Sequence, residues 1–536
     1  MVRVLLTRDR PMNVDIRANA TSGFLVFLIA LPLSLGIALA SGAPPVAGIL
    51  TAIAGGLVAS FLGSAPLTIK GPAAGLIVIV AGAVTELGGG DAALGYRRML
   101  AVGVVAGVVQ IALAWLRAGD IAASMPDSVV HGMLAAIGVI IIAKQVPLLL
   151  GVTDSGPPLA LLLHIPRDLV ESNPEVALIG GVALVMLLVW PRLPARLQKV
   201  PAPMGVLIFA VPAALWFDLP HAHTYHFAGG TYDLGPRFLV SLPDDLLQAV
   251  VFPDFSGVQA HPYVFAKYVV MFSLVGSVES LLSVIAVDAM DPKKRASDLN
   301  RDLLSVGVAN AAVAVVGGLP MISEIVRSRA NVDAGAVDHR ANFFHGLFLF
   351  CFVVFAPTLL GLIPLAALAA MLVATGLRLA APSQLRHARE KGLDQLLIFL
   401  TTMIVTVVED LLVGVAAGLA LKVVLHVVRG ASLRGLLRDP LTQRREGDTL
   451  VVTITGSATF LNFLAVRRAL TRVPEDVREV VMDFEHATLV DHTFLEKVHL
   501  LADEWPSATL RFEGLQRLRP VSEHPQATRR RVMQGA

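Results

Sequence analysis

Apolar positions dominate from about residue 18 to residue 430. Beyond that the chain returns to an ordinary mixture of charged and apolar residues. A helix needs roughly 20 apolar residues to cross the hydrocarbon core of a bilayer. Such runs lie near residues 20–40, 46–62, 99–116, 129–143, 177–190, 203–217, 264–287, 303–317, 343–362, 365–380, 395–408 and 411–428. Two more, at 73–84 and 322–333, are too short or too polar to span alone. The pattern predicts an all-α polytopic membrane domain of about 14 segments, with both chain ends on one side. After residue 445, Thr449-Leu-Val-Val-Thr-Ile-Thr455 alternates as a strand, and helix-like stretches separate further strands at 479–484 and 508–512. That predicts a small α/β domain.

Composition supports lipid as the solvent. Of 536 residues, 55% are hydrophobic and 16% charged, with a mean hydropathy of +0.71. A soluble globule carries about a quarter charged residues. The single Cys351 excludes a disulfide framework and a thiolate metal site. The first run continues straight into further spans, so it reads as a transmembrane helix and not as a cleaved signal. Basic residues favour alternate loops: Arg3, Arg8, Arg10 and Arg17; Lys70; Arg117; Arg192, Arg196 and Lys199; Lys293, Lys294, Arg295 and Arg301; Arg378, Arg386, Arg389 and Lys391; Arg429, Arg434 and Arg438. The opposite long loops, 144–176 and 218–262, hold more acids than bases. By the positive-inside rule both termini are cytoplasmic, and the protein is a multi-pass protein of the inner membrane.

The two weak segments hold the same rank, third of the first seven and third of the second seven. Seven is odd, so the halves are inverted. The first weak segment follows Lys70-Gly-Pro-Ala-Ala-Gly75; the second follows Gly317-Gly-Leu-Pro-Met-Ile-Ser-Glu324. Paired, Gly/Pro-interrupted short segments point to a transporter binding site at the repeat interface. Two helix N-termini meeting there would turn free N–H groups and partial positive charge toward an anion.

Charges inside the apolar runs narrow the site. Glu279 sits mid-run with Ser283 one turn on, and reads as the carboxylate for a coupling ion. Arg327 in the second short segment could serve the substrate or neutralise Glu279 or Glu324. Lys70 reads as a cytoplasmic-loop lysine, and Asp127 with His131 as a helix-end pair. The run from His221 to His226 lies in an outer loop and is not read as a metal site. The sequence holds no nucleophile–base pair and no phosphate loop, so an enzyme is not expected; neither is nucleic-acid binding.

Seven stretches stand in order along the chain: Ala30-Leu-Pro-Leu-Ser-Leu-Gly-Ile-Ala, Ser41-Gly-Ala-Pro-Pro, Gly71-Pro-Ala-Ala-Gly75, Val278-Glu-Ser-Leu-Leu-Ser283, Gly317-Gly-Leu-Pro320, Arg327-Ser-Arg-Ala-Asn331 and Val490-Asp-His-Thr-Phe-Leu495. Together they resemble the sulfate permease (SulP) family of anion transporters with a C-terminal STAS domain. The resemblance implies core and gate domains in a 7+7 inverted repeat, an elevator-like motion and a homodimer. It implies breaks in the first, third, eighth and tenth segments. The substrate would then meet Pro32, Ser34, Gly71, Pro72, Ala73, Ala74, Gly75, Gly317, Gly318, Pro320, Ile322, Ser323 and Arg327. The coupling ion, with sodium the metal considered at Glu279, would meet Glu279, Ser283 and Glu324. Expected boundaries are a cytoplasmic N-terminus to residue 17, the transporter domain 18–430, a linker 431–444, the STAS domain 445–525 and a basic tail 526–536. The STAS part is expected to pack, dimerise or recruit a protein partner. His492 occupies the place where soluble relatives carry a phosphorylated serine, which argues against a phosphoswitch. Bicarbonate, sulfate and a C4-dicarboxylate remain open as substrates. A nucleobase carrier of the same fold, or a scaffold or sensor with a vestigial transport core, remains the alternative.

Overall fold

The computed structural model describes residues 15–531, except 64, 120–123, 155, 199, 242–249, 410, 438–440, 471–472, 475 and 503–507. Arg3, Arg8, Arg10, Lys199 and Arg438 of the charge pattern therefore lie outside the described residues. Eight of the described helices are long and apolar enough to cross a membrane, and four shorter ones are also apolar.

Fourteen helices correspond to the expected segments. The first half contains α1 (Ile16–Ala40), α2 (Pro45–Leu57), α3 (Ile77–Gly88), α4 (Ala92–Trp115), α5 (Asp127–Leu149), α6 (Pro174–Val189) and α7 (Ala202–Trp216). The second contains α8 (Pro262–Met290), α9 (Leu299–Val315), α10 (Ile325–Asp333), α11 (Arg340–Phe355), α12 (Leu365–Leu379), α13 (Leu393–Val408) and α14 (Leu411–Val428). A four-residue strand precedes each short helix: β1 (Ile69–Pro72) before α3 and β4 (Met321–Glu324) before α10. Between the halves, β2 (His223–Phe227) and β3 (Gly230–Leu234) form a hairpin that contains two of the three histidines from 221 to 226.

Packing repeats with the halves exchanged. Helix α4 packs on α9 as α11 packs on α2, and α1 packs on α11 as α8 packs on α4. Glycines allow the close crossings: Gly107 meets Gly307, and Gly56 meets Gly346, backbone against backbone. Helices α5 and α12 are both fifth in their halves, and they cross at Gly138 and Gly376. The result is two bundles, α1–α4 with α8–α11 and α5–α7 with α12–α14, touching chiefly where α1 meets α12.

Helices α1 and α8 are continuous. The breaks expected in the first and eighth segments are absent, and Pro32 sits inside α1 without interrupting it. The third and tenth segments are broken as expected. There the irregular backbone is not simply unwound: β1 and β4 pair antiparallel, Ile69 with Glu324 through Pro72 with Met321, and all eight residues are buried. Mutual pairing satisfies backbone groups that find no water at membrane depth.

Among the described residues the C-terminal domain has two four-stranded sheets. One orders as β10 (Thr509–Glu513), β8 (Glu479–Asp483), β6 (Thr449–Ile454) and β5 (Leu441–Glu446); β6, β8 and β10 run parallel. The other orders as β11 (Arg519–Pro520), β12 (Arg529–Arg530), β9 (Ala487–Val490) and β7 (Gly456–Ala458). Helices α15 (Phe463–Leu470) and α16 (His492–Ala502) cover a core that includes Val452, Met482, Phe484 and Phe494. Its ordered strands run wider than residues 445–525. Strand β5 takes up residues assigned to the linker, and Arg529 and Arg530 of the expected basic tail form a paired strand.

Asp127 is not a partner for His131 alone. Its carboxylate lies 2.9 Å from Lys497 Nζ of α16 and 3.7 Å from Lys391 Nζ. Lys391 in turn lies 2.8 Å from Glu496. Lys422, fully buried in α14, meets Asp491 at 3.0 Å and donates to Thr493 Oγ1 at 2.5 Å. The first turns of α16 are thus ionically seated on the α5/α12–α14 bundle. Burial works against the charged form of Asp491, but Lys422 outweighs it, so the carboxyl is held well below the usual range.

Candidate functional site

The sequence explains why two strands face each other here. Pro72 and Pro320 cannot supply N–H groups to a helix, and Gly71, Gly75, Gly317 and Gly318 disfavour one entropically. Past β1 the chain makes one 3₁₀ turn, Ala74–Leu76, into α3; past β4 it enters α10 directly. The Ala73 N–H donates to the Pro320 carbonyl at 3.1 Å and closes the ribbon at the other end.

Alternation along the ribbon gives it two faces. Lys70 and Ser323 are register partners and share one face, turned to α9. Lys70 Nζ lies 2.8 Å from Asp302 Oδ1 and donates to Ser323 Oγ at 3.1 Å and Thr68 Oγ1 at 3.3 Å. Ser323 Oγ donates to Asp302 Oδ2 at 3.3 Å. Lys70 is 2% exposed and Asp302 0%. Lys70 is therefore not a loop lysine, and it drops out of the positive-inside count. Its buried charge is tolerated because a carboxylate 232 residues away neutralises it.

The opposite face holds Gly71, Ile322 and Glu324. Arg327, in the first turn of α10, lays its guanidinium against Gly71 so closely that a Cβ there would force the guanidinium to move. Arg327 is 1% exposed, and its three side-chain nitrogens find no hydrogen-bond partner among the described residues. An orphaned buried guanidinium is costly, since each unmade bond to a charged donor forfeits about 1.5–3 kcal/mol.

The carboxylates are held differently. Glu279 sits midway along α8, pressed on Gly75, whose N–H is turned toward it; the Ala74 N–H is turned toward Glu324. The N-terminus of α3 is thus met by two acids, the favourable sign for that end of a helix. Oε2 of Glu279 and Oε1 of Glu324 have no hydrogen-bond partner among the described residues. Glu324 and Arg327 attract electrostatically across one helical turn without forming a hydrogen bond.

The structure brings together Gly71, Pro72, Ala73, Ala74, Gly75, Pro320, Ile322, Ser323, Glu324, Arg327 and Glu279. Ser283 is buried one turn beyond Glu279, but the α8 hydroxyl that touches the ribbon belongs to Ser280, which accepts from the Ser323 N–H at 3.0 Å. Ser34 is fully buried in α1, its hydroxyl without a partner and its carbonyl against Gly48. Gly317 and Gly318 contact Tyr96, Val251, Val313 and Thr51, and turn the chain from α9 into β4. Gly317 has φ of +94°, a backbone state that suits glycine.

Five side chains that sequence reasoning missed fix the ribbon. Asn310 accepts from the Met321 N–H at 2.7 Å, Thr51 from Leu319 at 2.7 Å, and Ser328 from Ile69 at 2.8 Å. Asn342 accepts from Lys70 at 3.3 Å, and Ser280 completes the set. The available signal was a polar residue inside each apolar run. Chemically, the site offers one rigid guanidinium for an anion beside two carboxylates with free oxygens, which suit a proton or a hard cation.

Comparison with known proteins agrees with this architecture. Residues 16–403 match the Sulfate permease family. YvdB of Bacillus subtilis is 29% identical over 419 residues, covering 76% of this chain and 73% of the relative. The bicarbonate transporter BicA of Picosynechococcus is 25% identical over 426 residues, covering 78% and 72%. Among solved structures, the transmembrane domain of a cyanobacterial BicA aligns with a TM-score of 0.63 at 22% identity, over 77% of this chain and 99% of that one. SLC26A9 aligns with a TM-score of 0.68 at 15% identity, over 92% and 84%.

Proposed function

The chain belongs to the sulfate permease family, and from that premise we propose that it is a secondary active transporter of a small anion, bicarbonate or sulfate before a C4-dicarboxylate. The observation that carries this reading is Arg327, a fully buried guanidinium whose donors are unused while the acids beside it are turned to backbone N–H groups of the 3₁₀ turn that leads into α3. A scaffold would gain nothing from retaining that cost; a transporter recovers it each time an oxyanion binds.

Charge count supports coupling. One guanidinium faces two carboxylates, so with both acids ionised the site is net negative before the anion arrives. A proton or sodium ion on Glu279 or Glu324 removes that barrier, and the free carboxylate oxygens are hard donors of the kind sodium prefers. Anion and cation then travel together. The two-bundle packing suits an elevator-type motion, with α1–α4 and α8–α11 carrying the site past α5–α7 and α12–α14. The C-terminal domain is read as a STAS domain, and the assembly as a homodimer in the inner membrane with cytoplasmic termini.

The test is uptake by purified protein in liposomes. Labelled bicarbonate, sulfate and fumarate are offered with and without sodium and proton gradients. We expect gradient-dependent uptake of one of them, and its loss in Arg327→Gln. Uptake of none by folded protein, or full uptake by Arg327→Gln, would overturn the assignment.

A further inference from the structure

His345 lies in α11, outside every residue set considered so far. It is 0% exposed, and both ring nitrogens lack a hydrogen-bond partner among the described residues. A buried imidazole ordinarily satisfies at least one nitrogen. The backbone around it is tightly set: α11 meets α1 at Gly23, whose missing side chain admits the His345 N–H, and meets α2 where Gly346 touches Gly56.

The direction of the ring follows from its neighbour one turn earlier. Asn342 accepts from the Lys70 N–H and donates to the Gly55 carbonyl at 2.9 Å, so this face of α11 looks onto β1. Residues three apart share a helical face. The next residue of β1 is Gly71, over which Arg327 lies, and His345 is within electrostatic reach of that guanidinium. Two fully buried side chains with unused polar atoms, one from α10 and one from α11, thus lie within electrostatic reach of each other.

We propose that His345 is a ligand of the transported anion, placing an imidazole N–H beside the Arg327 fork and selecting oxyanions over halides. The inference rests on the anion-transport reading above. A guanidinium binds two oxygens of one anion in parallel. A neutral imidazole adds one donor at a separate angle and one acceptor. Several donors fixed at different angles suit an anion with several oxygens; a spherical halide uses such a set less fully. The ring's acceptor nitrogen also suits an oxyanion that keeps an O–H.

The test uses the full chain in liposomes, with the labelled oxyanion that the wild type takes up and chloride as competitor. His345→Leu removes both orphaned nitrogens, so we expect its melting temperature to equal or exceed that of the wild type. Its KM for the oxyanion should rise roughly tenfold or more, the loss of one hydrogen bond to a charged group. Maximal rate should change less, and chloride should become a better competitor. His345→Gln keeps a donor and an acceptor, and should stay within about threefold of wild-type KM. An unchanged KM and chloride sensitivity in folded His345→Leu overturns the proposal. So does a His345→Gln variant that folds and is as impaired as His345→Leu. Should His345→Leu fail to fold, the proposal falls unless His345→Met, which also lacks a donor, folds and shows the KM rise. Wild-type protein that takes up no oxyanion overturns the transport reading itself, which separates the two failures.

Discussion

Replacing Lys70 by methionine isolates the ion pair beneath the ribbon. Lys70 and Asp302 are 2% and 0% exposed and 2.8 Å apart, with Ser323 as a shared partner. Lys70→Met leaves Asp302 buried with one neutral donor. Breaking such a pair costs about 3–5 kcal/mol, because the surviving charge stays desolvated. In population terms the folded-to-unfolded ratio falls roughly a hundred- to several thousand-fold. Lys70→Met/Asp302→Leu removes both charges and should return to near wild-type stability or exceed it by up to about 4 kcal/mol. The assay is thermal unfolding in detergent, read by size-exclusion chromatography of the heated protein, over the full double-mutant cycle. The double variant should also keep anion uptake, since Lys70 lies on the ribbon face opposite Gly71 and Arg327. Wild-type stability in Lys70→Met would refute the energetic argument. A stable double variant without uptake would refute the two-face argument, because Lys70 would then act on the substrate.

Other expectations follow from single contacts. Glu279→Gln should fold and lose gradient-driven uptake, which ion-dependence measurements in liposomes would show; wild-type coupling would remove Glu279 from that role. Gly75→Ala forces a methyl group into the Glu279 carboxylate and should cut uptake at least about tenfold, whereas Gly181→Ala, with open space around it, should be silent. Deleting residues beyond 440 should lower yield without changing substrate choice, since Lys422 and Lys391 lose Asp491 and Glu496. Lys422→Met should recover part of that yield, measurable by whole-cell fluorescence of a tagged chain. The depressed Asp491 carboxyl stabilises docking fully above its unfolded value, about 3.9. Docking should therefore hold between about pH 5 and 8 and weaken as pH falls below about 4. Limited proteolysis across that range would reveal early release.

Length and hydropathy made the fourteen segments legible, and Gly/Pro pairs at matching rank marked the two short ones. Strands β1 and β4 left no trace: four residues are too few for a period, and β1 ends in a proline. Lys70 was misread because a lysine beside Gly-Pro looks like a loop, and the carboxylate that makes its burial tolerable lies on another helix. The same applies to Asp127, whose partners Lys497 and Lys391 come together only when the C-terminal domain folds. Glu279 and Arg327 stood out as charges in apolar runs. His345 did not, because Phe343 and Phe344 beside it make it read as one more ring in a greasy stretch.

The ribbon also sets a schedule for biogenesis. Ile69 leaves the ribosome some 250 residues before its partner Glu324. At about 5–20 residues per second, that is an interval of roughly 10–50 s. Throughout it the first half of the protein holds a strand whose hydrogen-bonding edge has no mate, with Lys70 still waiting for Asp302. The ribbon and its buried ion pair can close only after residues 302 to 324 have been made, so the final packing of the first half waits on the second.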